Sequence, residues 1–114
     1  MRMIAEMREA RHAEERGAIL TTLKAAYGSE MTSTRTLWRV LNGARVPVSE
    51  EGLQFSLTYL ADQGYIKVWR VRDTPGWRPD RPGPRADVIV FARLLPRGLL
   101  LVDGQAEADP KVSF

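Results

Sequence analysis

An α+β domain is expected from three features of the sequence. Apolar residues recur at helical spacing in three consecutive segments up to about residue 63, the period shortens to two in residues 65–71 and 87–95, and glycine or proline stands at each change of pattern. These parts make a three-helix bundle, a two-stranded hairpin and a short closing helix. A chain of 114 residues with 44% hydrophobic content is long enough for one domain with one core, and it has no cysteine to staple that core or to bind a metal.

The first helix is read from EERGAILTTLKAAYG, where Ile19, Leu20, Leu23 and Tyr27 fall at helical spacing and Gly28 closes the segment. The preceding residues 1–16 form a charged helical arm, either continuous with that helix or separated from it at Gly17. Met3, Ile4 and Met7 are its main apolar residues, which makes it a poor core element and suits it to pairing with a second copy.

In TSTRTLWRVLNGARVP, hydroxyl residues suit an N-cap, Leu37, Val40 and Leu41 carry the helical spacing, and Gly43 stops the second helix. Ser49 caps a third helix after Pro47. Glu50 and Glu51 lie in its first turn, where the helix dipole favours acids, and Leu53, Leu57 and Leu60 form its apolar stripe with Phe55 and Tyr59 at the flanks. Gly64 ends it.

The strands are YIKVWRV and DVIVFARLL, both alternating, both partly apolar on two faces. One face packs on the helices. The other, with Trp69, Ile89 and Phe91, needs a cover, for which PRGLLLVDG with Pro96 in a first helical turn is the candidate. Residues 105–114 read as a flexible, frayed or peripheral tail. The central domain therefore spans 17–104, with a long loop at 72–86.

Charge is unevenly placed within a net of +3. Residues 31–48 carry Arg35, Arg39 and Arg45 without an acid, and residues 49–64 carry Glu50, Glu51 and Asp62 without a base. Residues 65–97 set Lys67, Arg70, Arg72, Arg78, Arg81, Arg85, Arg93 and Arg97 against Asp73, Asp80 and Asp87. The basic character is centred on the loop.

Three helices with a short turn between the second and third, then a hairpin, are the parts of a winged helix-turn-helix domain, whose third helix and hairpin tip share one face. The stretch VSEEGLQFSLTYLADQGYIKVWRV resembles the third helix and first wing strand of ArsR-like and MarR-like regulators. Over about residues 15–110, the order ERGAILTTLKAAYG, TSTRTLWRVLN, VPVSEEGLQFSLTYLADQGYI and LLPRGLLLVDGQAEADP is similar to a family of small ArsR-like winged-helix proteins of Mu-like phages and prophages. Arg97, Gly98, Leu99, Gly104 and Ala106 are its most telling element. The resemblance implies a phage origin, a winged-helix fold and nucleic-acid binding, and it brings no catalytic activity or ligand. Two departures fall on the surfaces that touch DNA in such domains. Relatives are basic where this chain has Glu50, Glu51 and Gly52, and their hairpins are short.

The expected duplex-binding residues follow from this placement. Gln54 and Thr58 on the third helix are suited to base edges, although the carboxylates of that helix oppose a phosphate backbone. Arg35, Arg39 and Arg45 are suited to phosphate or, alternatively, to pairing with nearby glutamates. Arg70, Arg72, Arg78, Arg81 and Arg85 offer planar forks that match phosphate, Trp77 offers a stacking or wedging ring, and Pro75, Pro79, Pro82 and Pro84 restrict the free loop. The competing reading of the loop is a solvated tip whose prolines block edge pairing.

Met3, Ile4, Met7, Trp69 and Phe91 are the expected homodimer contacts. A protein-binding adaptor or inhibitor of a phage or host complex is the alternative function, motivated by the acidic third helix. His12 is the lone histidine and no nucleophile, phosphate-loop or metal-ligand motif is present, so neither an enzyme nor a cofactor is expected. No apolar run approaches a membrane span and the first residues are too charged for a secretory signal, so the expected location is the cytoplasm.

Overall fold

The computed structural model describes residues 2–28, 30–83 and 85–114. Among these residues, four helices and a three-stranded antiparallel sheet follow in the order α1 (Arg2–Ala25), β1 (Thr32–Ser33), α2 (Thr34–Gly43), α3 (Glu50–Asp62), β2 (Ile66–Arg70), β3 (Ile89–Leu94) and α4 (Pro96–Val102), with a 3-10 turn at Val71–Asp73. β3 is the middle strand, between β1 and β2. Among the described residues no helix is long and apolar enough to cross a membrane.

The caps are where the sequence places them. Ser33 Oγ accepts from the Thr36 N–H at 3.1 Å and Ser49 Oγ from the Gly52 N–H at 3.0 Å, each satisfying an orphan donor of a first helical turn. Gly64 follows α3 with φ at 78°, the left-handed conformation that ends a helix at low cost in glycine. Pro96 occupies the first turn of α4.

The core joins Ile19, Leu20 and Leu23 of α1, Leu37 and Leu41 of α2, Leu53, Leu57 and Leu60 of α3, and Ile66, Ile89, Ala92 and Leu94 of the sheet. Tyr27 and Val40, expected on apolar faces, are exposed. Tyr27 lies beyond the last turn of α1.

Strict alternation in β3 is broken by a bulge. Trp69 pairs with Phe91 but Arg70 pairs with Ile89, so Val90 is the extra residue and the facing of the strand reverses there. Ile89 consequently enters the core with Ala92 and Leu94 instead of sharing the outer face with Phe91. The expected cover for that face is also corrected. α4 packs chiefly on α1, with Leu101 buried and Leu99 and Val102 against the core, and leaves Trp69 and Phe91 half-buried.

Gly17 does not break α1, which runs continuously from Arg2 to Ala25. Its role is contact. A Cβ at Gly17 would lie 1.8 Å from the carbonyl oxygen of Ser113, because residues 105–114 cross the helix at this point. The tail is thus docked rather than peripheral: Val112 is buried and the Ser113 N–H donates to the Ala13 carbonyl at 2.9 Å. Asp109 Oδ2 accepts from the Tyr59 hydroxyl at 2.8 Å and the Tyr65 hydroxyl at 2.9 Å, while its Oδ1 accepts from the Lys111 N–H at 2.9 Å. Buried Arg16 lies over the Tyr59 ring at 4.3 Å and donates to the Lys111 carbonyl at 3.2 Å.

Burial and the bond to Asp109 push the Tyr59 hydroxyl up to about 12, and burial with the same carboxylate raises Tyr65. Burial also pushes Asp109 upward, but the Lys111 N–H, the two hydroxyls and the Arg16 charge outweigh it and hold the carboxyl below its ordinary value. A carboxyl made more acidic by folding stabilises fully above its unfolded pKa of about 3.9 and loses that contribution as pH falls. A tyrosine hydroxyl made less acidic stabilises fully below about 10, and that contribution fades as pH rises towards its folded value.

Asp109→Asn is therefore expected to cost about 1–3 kcal/mol in urea unfolding at neutral pH, with the gap to the parent closing below about pH 4. Gly17→Ala is expected to unseat the tail at a similar cost, since it re-exposes Val112. Adding Asp109→Asn to Gly17→Ala is then expected to cost little more, a coupling that a double-mutant cycle measures.

Candidate nucleic-acid interface

An open cleft of about 900 Å³ runs between α2, α3 and the base of the β2–β3 loop. Arg35, Trp38 and Arg39 line it from α2, Glu50, Glu51, Gln54, Phe55 and Thr58 from α3, and Arg70, Arg85 and Asp87 from the loop base. The register of these side chains follows from local structure. Leu37 and Leu41 turn one face of α2 into the core, which leaves Arg35, Trp38 and Arg39 on the outside.

The loop base is a fixed platform. Backbone pairing continues past the strands, from Val71 N–H to the Val88 carbonyl at 2.9 Å and from Arg72 N–H to the Ala86 carbonyl at 3.1 Å. Asp73 accepts from the Arg70 N–H at 2.8 Å, and the Arg70 guanidinium donates to the Asp87 carbonyl at 2.7 Å. Arg85 pairs with the Asp87 carboxylate at 3.1 Å in an exposed position, which contributes little stability. Arg72 is exposed at this base, and beyond it Trp77, Arg78 and Arg81 are exposed on the tip.

Of the residues expected to touch a duplex, the cleft brings together Arg35, Arg39, Gln54, Thr58, Arg70 and Arg85. Arg45 stands apart in the α2–α3 turn, where its φ of 64° marks a left-handed residue that is not glycine. Arg72 at the loop base and Trp77, Arg78 and Arg81 on the tip are also outside the cleft. Arg35 and Arg39 are exposed and form no ion pair with a described residue, so the alternative of pairing with glutamates is not what the fold adopts.

Gln54 is corrected. Its Nε2 donates to the Ile89 carbonyl at 2.8 Å and its Oε1 accepts from the Ile89 N–H at 2.9 Å, so the amide is committed to the sheet and is not free to read a base edge. Thr58 donates its hydroxyl to the Gln54 carbonyl at 2.8 Å. α3 thus presents Glu50 and Glu51 to the cleft, and no cation.

Compared with protein-family models, with curated proteins and with solved structures, the chain matches none of them.

Two aromatics that sequence reasoning left out of the site belong to this cleft. Phe55 is 57% exposed and Trp38 is 38% exposed, and both line it. The signal for Phe55 was its position two residues from both Leu53 and Leu57, which is the opposite side of a helix of about 3.6 residues per turn. Among the described residues no group of three histidine, cysteine, aspartate or glutamate side chains is placed to hold a metal ion.

The expected homodimer residues split into two places. Met3, Ile4 and Met7 lie on the first part of α1, where residues 3–11 are all exposed, and Trp69 and Phe91 lie on the outer face of the sheet.

Gln54→Ala is expected to leave the N–H and C=O of Ile89 without partners and to cost about 1–3 kcal/mol for each group left dry. Urea unfolding checks the stability loss, and faster amide exchange at Ile89 checks its origin.

Proposed function

We propose that this chain is a winged-helix DNA-binding protein of a Mu-like phage, a transcriptional regulator or accessory factor that grips duplex backbone with its wing and second helix. The observation that carries this reading is the placement of Arg72, Arg78, Arg81 and Arg85 on an exposed loop whose rigid base faces Arg35 and Arg39 across one cleft. Support for the fold comes from the strand order β1-β3-β2 and from α2 and α3 being joined by a short turn ahead of the hairpin.

The mode of contact is read from charge. Arginine forks on the loop and on α2 suit phosphate oxygens, which set affinity and register without reading sequence. Glu50 and Glu51 keep the first turn of α3 away from the backbone, and Gln54 is held by the sheet. In this reading the wing takes the leading role, and a dimer joined through the arm of α1 doubles the number of backbone contacts.

A second reading, a protein-binding adaptor or inhibitor, is favoured by Phe55 and Trp38 lying exposed beside Glu50 and Glu51 in the cleft. An aromatic anchor among charges of both signs, Arg35, Arg39, Arg70 and Arg85 beside Glu50, Glu51 and Asp87, suits a partner protein of complementary charge pattern.

Duplex binding is expected to weaken steeply between about 50 and 200 mM salt. Replacing Arg78, Arg81 and Arg85 together by alanine is expected to lower the slope of log affinity against log salt by about 0.9 for each phosphate that is no longer neutralised. A slope unchanged by the triple substitution removes the wing from the interface. No duplex binding at low salt, together with loss of a captured protein on Phe55→Ala, favours the adaptor.

A further inference from the structure

The outer face of the sheet carries a second set of cations and aromatics that neither reading above uses. Lys67 pairs across the strands with Arg93, and Trp69 pairs with Phe91, which in turn faces Ser33 on the edge strand. Like charges directly opposite each other weaken a sheet. Neither cation has an ion-pair partner among the described residues, and both lean over one ring: Lys67 Nζ is 5.0 Å and the Arg93 guanidinium 5.8 Å from the Trp69 centroid. Arg93 also lines a small groove of about 260 Å³ with Tyr27, Gly28 and Pro96. Tyr27 is 43% exposed.

The Trp69–Phe91 pair therefore lies beside the Lys67–Arg93 pair on this face, and Arg93 shares the small groove with Tyr27. A duplex hides the faces of its bases and gains nothing from such rings. A single strand offers unstacked bases to the rings and phosphates to the cations beside them. A protein partner of basic character is disfavoured by the two cations, and a second copy of this chain would place the same two cations against a face that carries its own.

We propose that this face is a binding track for single-stranded nucleic acid, with bases stacked on Trp69, Phe91 and Tyr27 and phosphates held by Lys67 and Arg93. The track is separate from the cleft and does not depend on the duplex reading.

The test is a titration of labelled oligothymidylate of ~12 nucleotides, within the ~4–16 that one small domain spans, followed by anisotropy at several salt concentrations. Trp69→Ala is expected to weaken binding about tenfold. Lys67→Glu with Arg93→Glu, two exposed positions that leave the core untouched, is expected to abolish it at the same protein concentration, with the urea unfolding midpoint kept.

Single-strand affinity that is undetectable at low salt, or unmoved by the Trp69 and the Lys67 and Arg93 substitutions, overturns the proposal. So does a face that joins two copies: concentration-dependent sedimentation abolished by Trp69→Ala with no change in oligonucleotide affinity. If duplex binding fails while the single strand still binds through Trp69, only the wing reading falls.

Discussion

The contact between the Gln54 amide and both backbone groups of Ile89 is the constraint on which the geometry of this molecule turns. Ile89 is fully enclosed, and a buried peptide group left without a partner is expensive. One glutamine on α3 meets that cost with two hydrogen bonds. The same contact fixes the height of the hairpin against α3 and so fixes where the loop base stands across the cleft. Ile89 is completely buried beside it, so apolar packing and the polar contact hold the same point. The arrangement also removes the most suitable base-reading side chain from the exposed face of α3, and leaves that helix to present carboxylates.

Most of the helical frame was legible in the residues themselves. Ser33 and Ser49 are caps, Gly64 is a stop and Pro96 is a start, because each rule concerns groups within one turn of the chain. What escaped is non-local. β1 is two residues long and has no period of its own; it exists because Thr32 and Ser33 meet Ala92 and Phe91. The reversal of facing at Val90 needs two strands to define it. Gly17 reads as a breaker until the tail that crosses it is known, and Asp109 is one acid among many until Tyr59 and Tyr65 are seen to share it.

The candidate site divides in the same way. Arginines on the loop and on α2 stood out by composition, and the cleft does gather several of them. Gln54 was misassigned because its partner lies 35 residues away, on a strand whose register the sequence does not fix. Phe55 reads as a flank of the apolar stripe of α3, whereas the leucine stripes of α3 and α2 already fill the core. The group of cations and aromatics on the sheet exterior was invisible for a related reason: Lys67 and Arg93 become neighbours only through pairing, and Tyr27 joins Arg93 from the end of another helix.

The way the β2–β3 loop is closed has a consequence for variation. Its ends are tied by Val71 to Val88, Arg72 to Ala86 and Arg70 to both Asp73 and Asp87, all before the tip begins. Closing a flexible loop costs only about 0.6 kcal/mol more for each doubling of its length. The tip is therefore nearly independent of the domain that carries it, and residues there are replaceable, extendable or removable at small thermodynamic cost. Such a segment behaves as a cassette: selection can rewrite its length and charge while the bundle below keeps its fold.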